Sequence, residues 1–456
     1  MNSTTKTNDG GAFNVQEFMD GRRMAGAQWL ILAVSFLVLV TDGFHTAVMA
    51  FLAPALSHEL SISKSALGPV LAASLIGLAV GAMVAGPLAD RYGRKRILIA
   101  SVLVCCIGSL ASASAAGADA LSLYRFITGT GIGAAMPNCT TLASEFIPAR
   151  RRALLLNLMF CGFPLGASSA GFFTAWMVPH YGWRAVFLAG GAAPLLLAAL
   201  LTRLLESISF MVVRQYPSEP IKTALRKVLG GDAELSRQID AARAFRMTES
   251  NTASTQSPWK VMFEARFLFA TLMLWTTYFM GLLLYYTLTN WMPTLVREAG
   301  YTVSQAAIVT ALFPLGGIIG AVFCGWLMGR ANASRVVSGA YLLTAILLVV
   351  LARSTGDLGS LMTATFFAGL AMNGAQTSMP ALAASSYPTL GRASGVAWML
   401  GVGRIGGICG AFGGGLLSQA GFTLAQIIAG LSIAALVATA ALLAKSLMSD
   451  RRNARA

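Results

Sequence analysis

Residues 29–56 read WLILAVSFLVLVTDGFHTAVMAFLAPAL, an apolar run interrupted once, at Thr41-Asp42-Gly43-Phe44-His45-Thr46. In a helix entered at Trp29, a rise of ~1.5 Å per residue carries Asp42 about 20 Å along the axis, deep in a hydrocarbon core roughly 30 Å thick. A charge at that depth costs on the order of 3 kcal/mol on insertion scales, so an acid placed there faces a protein-lined cavity, pairs with a cation or carries a proton. Asp42 is therefore the first functional candidate; the plainer alternative is a residue nearer an interface and simply solvated. His45 stands three residues on, on the adjacent position of one helical face. A carboxyl and an imidazole one turn apart can share or relay a proton. The alternative for His45 is a packing histidine that donates to a backbone carbonyl.

Composition extends that reading to the whole chain. Of 456 residues 56% are hydrophobic and only 11% charged, which excludes an ordinary set of soluble domains and points to a polytopic all-α membrane protein. The net charge of +15 sits in short runs between apolar segments instead of along one amphipathic face, so it reads as topology signals and not as a nucleic-acid surface. Cys105, Cys106, Cys139, Cys161, Cys324 and Cys409 all fall in apolar segments without metal spacing, which makes them packing residues; neither a metal nor a cofactor is expected. No GxxxxGK[ST] stretch is present for a nucleotide-driven pump. Three histidines, few deep acids and no metal-spaced cluster argue against an enzyme.

Twelve apolar segments are predicted as transmembrane helices, near 28–54, 66–89, 97–116, 120–144, 153–178, 185–205, 266–291, 304–328, 334–352, 358–383, 393–418 and 422–446. Glycine and proline are frequent within them, as where membrane helices approach closely, and no alternating pattern suits a barrel. With both ends inside, the cytoplasmic connections collect Arg91, Arg94, Lys95 and Arg96, then Arg150, Arg151 and Arg152, then Arg330 and Arg335, while the outer loops carry isolated cations. The resulting division is a cytoplasmic tail over 1–27, expected to be largely disordered, a six-helix bundle over 28–208, a cytoplasmic linker over 209–264, a second bundle over 265–448 and a short tail over 449–456. An amphipathic helix around Ile221 to Arg246 is predicted within the linker.

The halves are related by sequence. At an offset of 240, Pro148–Ala153 falls on Pro388–Ala393, Arg152 on Arg392 and Gly166 on Gly406; at 239, Ser65, Gly77, Gly81 and Gly86 fall on Ser304, Gly316, Gly320 and Gly325. Agreement of several Gly, Pro and Arg positions at nearly one offset indicates a parallel duplication, two pseudo-symmetric bundles with a site near mid-bilayer between them.

The stretch GPLADRYGRKR, Gly86–Arg96, resembles the loop between helices two and three of the major facilitator superfamily. Gly86 would let helices pack closely, Asp90 would cap or bridge to a neighbouring helix end, and Arg91, Arg94, Lys95 and Arg96 would hold the loop at the anionic inner surface. The resemblance implies that Gly86, Asp90, Arg91, Gly93 and Arg94 gate, with Glu145, Arg152 and Arg392 as partners. The second-half counterpart, GWLMGRANASR, departs from the pattern with Gly329 in place of an acid. DGFHTAVMAFLAPAL, RFITGTGIGAAMPNCTTLASEF, NLMFCGFPLGASSAGFF and GRASGVAWMLGVGRIGG together are similar to the aromatic acid:proton symporter branch. There the first motif commonly reads Asp-Gly-x-Asp, so Asp42 matches while His45 replaces the second acid. The resemblance implies import of a small aromatic carboxylate, of the benzoate or hydroxybenzoate class, by proton symport across the inner membrane, by a monomer working through alternating access. A transporter of another organic anion, a drug exporter and a transporter-like sensor are the alternatives.

For such a ligand, Arg404 is the candidate carboxylate anchor, because a guanidinium binds a carboxylate in a bidentate fork and Gly401, Gly403, Gly406 and Gly407 leave room beside the helix. Its alternative is a structural ion pair or a cage of carbonyls. Arg125 matches the family's fourth-helix arginine and would couple proton to substrate; its alternative is an interfacial arginine snorkelling to the surface. Helix seven offers Tyr278 for stacking, with Trp275, Tyr285, Tyr286 and Asn290 nearby, and Trp291 is placed in the outer interfacial belt. Asn373 and Gln376, one turn apart in helix ten, are either pocket groups or interhelical glue.

Overall fold

The interrupted apolar run forms one helix. The computed structural model describes residues 12–14, 24–60, 62–229, 244–246, 263–264, 266–387 and 389–453. Strand β1 (Ala12–Asn14) precedes α1 (Gly26–Glu59), α2 (Lys64–Tyr92), α3 (Arg94–Ser112), α4 (Ala118–Phe146), the short α5 (Ala149–Phe160) and α6 (Gly162–Leu201). Two small helices follow, α7 (Ile208–Val213) and α8 (Ser218–Leu229), then β2 (Ala244–Arg246). The second half comprises α9 (Leu268–Glu298), α10 (Val303–Met328), α11 (Ala333–Arg353), α12 (Leu358–Ser386), α13 (Thr389–Gln419) and α14 (Leu424–Asn453).

Nine helices among the described residues are long and apolar enough to cross a membrane. One of them runs over Leu154–Leu201, and Gly182 interrupts it at φ +75 and ψ 172, a left-handed conformation that glycine adopts without strain. Helices α4 and α12, 29 residues each, are long enough but more polar, and both pack inside the bundle.

The two halves repeat one another in their closest helix contacts. A Cβ at Gly77 or Gly81 would strike the α4 backbone at Phe126 or Thr130, and one at Gly316 or Gly320 would strike α12 at Phe366 or Leu370. Gly129 lies against Ser74 and its counterpart Gly369 against Phe313; Gly166 lies against Val40 and Gly406 against Phe279. Partners as well as glycines are thus related by the offset of 239–240 read in the sequence. Small residues permit this approach where no hydrophobic force draws helices together in lipid. Gly86 differs from the expectation. The space a Cβ would take there, as at its counterpart Gly325, is open, so close packing along α2 falls to Gly77 and Gly81.

Contacts between the halves concentrate toward the end that carries the α1–α2 turn. There Ser304 Oγ donates to Ala175 O at 2.7 Å and Gly68 lies against Phe412; midway, Ser168 Oγ donates to Ala311 O at 2.6 Å. Toward the α2–α3 end, Gly86 and Gly401 face open space, and Met83 is 78% exposed.

The described part of the linker helix covers Ser218–Leu229; residues 230–243 lie outside those described, and Ala244–Arg246 is a strand instead of the predicted end of the helix. Ile221, Ala224, Leu225 and Val228, spaced i, i+3, i+4 and i+7, are buried against Leu201, Leu204 and Ile208, so this amphipathic face covers the end of the first half instead of lying on a surface. In the N-terminal tail, β1 pairs in parallel with β2, Ala12 opposite Ala244; residues 1–11 and 15–23 lie outside those described.

Candidate functional site

Asp42, His45 and Arg125 form the buried polar centre of the first half. Asp42 is 3% exposed, its Oδ2 has no hydrogen-bond partner, and no cation pairs with it among the described residues. It stands within electrostatic reach of Cys105 and Cys139, so its carboxyl lies toward α3 and α4. The His45 ring rests against Gly190, whose backbone is its hydrogen-bonding neighbour, although neither ring nitrogen completes a bond of normal geometry. Arg125 is fully buried; its Nη2 donates to the backbone carbonyl of His45 and, at 3.4 Å, to Ser74 Oγ, and the guanidinium lies 5.9 Å from the Phe187 ring centre. The snorkelling alternative is excluded. Arg125 instead ties α4 to α1 at the residue whose side chain faces Gly190.

In the second half, glycines on α13 make seats for aromatic rings of α9. A Cβ at Gly403 would collide with the Tyr278 ring, and one at Gly407 with Tyr286. Both tyrosines lie within electrostatic reach of Arg404. Arg404 Nη1 donates across the interface to Leu78 O on α2 at 3.2 Å, and no acidic group pairs with it among the described residues. Of its two alternatives, the ion pair is removed and one carbonyl contact remains. Gln376 Oε1 accepts from the Tyr341 hydroxyl at 2.5 Å, its Nε2 has no partner, and Tyr278 lies beside it. Asn373 behaves as interhelical glue: its Nδ2 donates to Gly369 O at 3.0 Å and to Phe313 O at 3.4 Å. Trp291 corrects another expectation. It is wholly buried and donates from Nε1 to Ala411 O at 2.7 Å, because the adjacent Gly414 leaves space for its indole, so it belongs to the core and not to an interfacial belt.

A narrow cavity lies between the halves. Thr46 and Phe51 of α1 and Phe163 of α6 line one side; Tyr285, Tyr286 and Asn290 of α9, with Thr310 of α10, line the other. Tyr285 and Tyr286 meet edge to face, ring centres 5.2 Å apart. None of Asp42, His45, Arg125, Tyr278, Asn373, Gln376 and Arg404 lines this cavity directly. Thr46 follows His45 in α1 on one side, and Tyr286 lies within electrostatic reach of Arg404 on the other. Tyr285, Tyr286 and Asn290 are visible in the sequence of α9, but that these residues and not Tyr278 line the cavity depends on helix rotation.

The residues expected to gate assemble at the α2–α3 end of the first half. Gly93 joins α2 to α3 at φ +101, and a side chain there would meet Glu206. Arg94 forms an ion pair with Glu145, whose other oxygen accepts from Ser207 Oγ. Lys95 N donates to Glu206 Oε1 at 3.0 Å. Asp90 bridges through its backbone, accepting from Arg214 Nη2 at 2.8 Å, while its carboxyl is exposed. Arg91 lies over the Tyr92 ring, 5.2 Å from its centre. Arg152 donates from Nη2 to Ile147 O at 3.2 Å, capping the end of α4. The side chain of Arg392 lies outside the described residues. These contacts lock α2, α3, α4 and α7 into one corner.

The Major Facilitator Superfamily model matches residues 34–333 and 294–455. The chain is 44% identical to the 4-hydroxybenzoate transporter PcaK of Pseudomonas aeruginosa, over 96% of each chain, and 44% identical to the gallate transporter of Pseudomonas putida, over 94% of each. A benzoate transport protein of Acinetobacter baylyi is 31% identical over 87% of this chain and 85% of its own. Among solved structures, the inward open conformation of the xylose transporter XylE from E. coli superposes with a TM-score of 0.69 at 17% identity, covering 91% of this chain and 95% of that one. At such identity the likeness speaks for the fold alone. The repeated helix contacts, the cavity between the two halves and the match along both of them have one explanation: the chain belongs to the Major Facilitator Superfamily.

Proposed function

We propose that this transporter imports a small aromatic carboxylate, of the benzoate or hydroxybenzoate class, together with protons. The family and the transporter relatives make it a transporter and not an enzyme. The observation that carries the substrate reading is the cavity between the halves, walled by Tyr285, Tyr286, Phe51 and Phe163, with the unpaired cation Arg404 behind Tyr286. Aromatic walls suit a planar ring, and a guanidinium without an acidic partner suits a carboxylate. The relatives named for 4-hydroxybenzoate, gallate and benzoate support the same class. Because the cavity is narrow, a ring enters with a shift of the tyrosines or a small parting of the halves.

Proton coupling rests on Asp42 and His45, buried one helical turn apart, with Asp42 Oδ2 unpartnered and no cation beside it among the described residues. A proton taken up at Asp42 removes a buried charge. Arg125, bonded to the carbonyl of His45, is positioned to pass that change along α1 to Thr46 in the cavity wall. Rocking of residues 28–208 against 265–448, each half working as one body of six spans with residues 209–264 as a cytoplasmic linker, exposes the cavity alternately. In this reading twelve spans place both ends in the cytoplasm, in the inner membrane, with a monomer as the working unit; the splayed α2–α3 end is the cytoplasmic one.

Uptake of labelled benzoate and hydroxybenzoates by expressing cells tests the proposal. Accumulation is expected, and a protonophore is expected to abolish it. Uptake that stays concentrative when the proton gradient is collapsed would refute the symport, and absence of uptake for all these acids would refute the substrate class.

A further inference from the structure

Two polar groups in the cavity between the halves lack partners. Thr46 Oγ1 is buried and unbonded. Its neighbours on the wall are not: Thr289 donates to Tyr285 O at 2.8 Å and Thr310 to Ala306 O at 3.0 Å, the usual return of a threonine hydroxyl to its own helix. Asn290 is 6% exposed, lines the same cavity and has no side-chain hydrogen bond among the described residues. Its amide opens onto the cavity and has two donors and an acceptor to offer a ligand. Both groups are neutral, and the cavity wall includes neither lysine nor arginine. Where Thr46 and Asn290 line it, the cavity suits a neutral group that both donates and accepts.

We propose that Thr46 and Asn290 form a subsite for a hydroxyl on the aromatic ring, and so set a preference for hydroxylated over unsubstituted acids. The inference rests on the aromatic-carboxylate reading above and names its selectivity. A phenolic O–H donates to the Asn290 carbonyl or to Thr46 Oγ1, and its oxygen accepts from the Asn290 amide or the Thr46 hydroxyl. Thr46 belongs to the first half and Asn290 to the second, so a hydroxyl held by both bridges the two halves. A site built to hydrogen-bond a hydroxyl rejects the analogue that lacks it, because its own groups are then left buried and unpaired.

The test measures the KM for uptake of benzoate, 3-hydroxybenzoate and 4-hydroxybenzoate by the wild type and by Thr46→Val, Thr46→Ser and Asn290→Leu, with membrane abundance followed in parallel. The wild type is expected to favour at least one hydroxylated acid. Thr46→Val and Asn290→Leu should each raise the KM for that acid by about three- to tenfold, the range of one lost neutral hydrogen bond. Benzoate KM should stay unchanged or fall, and Thr46→Ser should restore the preference. Equal loss on all three acids, or a preference untouched in both Thr46→Val and Asn290→Leu, would overturn the subsite while leaving the transport reading intact. Failure of the wild type to take up any of the three would overturn the transport reading and the subsite with it.

Discussion

Burying Asp42 without a cation costs stability that a packing residue at that position would not, which is the reason to assign it work. Replacement of Asp42 by Asn keeps the shape and removes the proton site, so Asp42→Asn is expected to abolish accumulation of substrate while the protein stays in the membrane at normal abundance. Concentrative uptake by that variant would remove Asp42 from the coupling scheme. His45→Gln should slow gradient-driven uptake more than substrate exchange, since exchange cycles without releasing the proton; equal slowing of both indicates packing. Arg404 holds one carbonyl, Leu78 O, and has no acidic partner among the described residues, which leaves donors of its fork for a ligand. Arg404→Lys retains the charge and loses the planar geometry. The lost charge-assisted hydrogen bonds are worth roughly 1.5–3 kcal/mol, so the KM for the acid should rise at least about tenfold. Benzoate should compete with the transported acid, and benzamide should not.

At the scale of elements, the glycines of α2 and α10 divide into two kinds that composition alone does not separate. Gly81 and Gly320 sit where a side chain would strike the backbone of α4 or α12, and nothing flexible can give way. Overpacking at such positions costs about 1–3 kcal/mol. Gly81→Val and Gly320→Val are therefore expected to lower the thermal midpoint of the purified protein in detergent, whereas Gly86→Ala and Gly325→Ala, which point into open space, should leave it unchanged. A fall for Gly86→Ala as large as for Gly81→Val would contradict the helix contacts. The sequence offset identified these positions as equivalent but could not say which face each glycine presents. That depends on helix rotation, fixed by the neighbours. Asn373 makes the same point: it occupies the position of Gly133 in the repeat, and Gly317, opposite it, supplies the room that Leu78 does not.

The whole molecule is joined near the α1–α2 end and midway, and splayed toward the α2–α3 end. In a background where the native cysteines are replaced, Gly68→Cys with Phe412→Cys is expected to cross-link readily, because the two positions pack against one another. Cross-linked protein should lose uptake, since α2 and α13 must part there for the cavity to open to the other side; retained uptake would show that the halves do not rock about this contact.

The sequence alone determined the all-helical membrane class, the duplication and the family, because each rests on local composition or on spacing that survives in a single chain. Apolar runs of fixed length, the clustering of arginines and lysines and the Gly86–Arg96 stretch need no tertiary information to be read. It also singled out Asp42, His45, Arg125 and Arg404, since an ionisable group within an apolar run stands out by its cost. Only the tertiary structure decided what those groups face. It turned Arg125 toward the His45 carbonyl, sent the side chain of Trp291 into the core, gave close packing to Gly81 instead of Gly86, and brought Thr46 and Asn290 to one cavity from helices more than 200 residues apart in the chain. The orientation of a nearly all-apolar helix is not written in its periodicity: lipid and protein interior are both apolar, and only packing against specific neighbours selects the face.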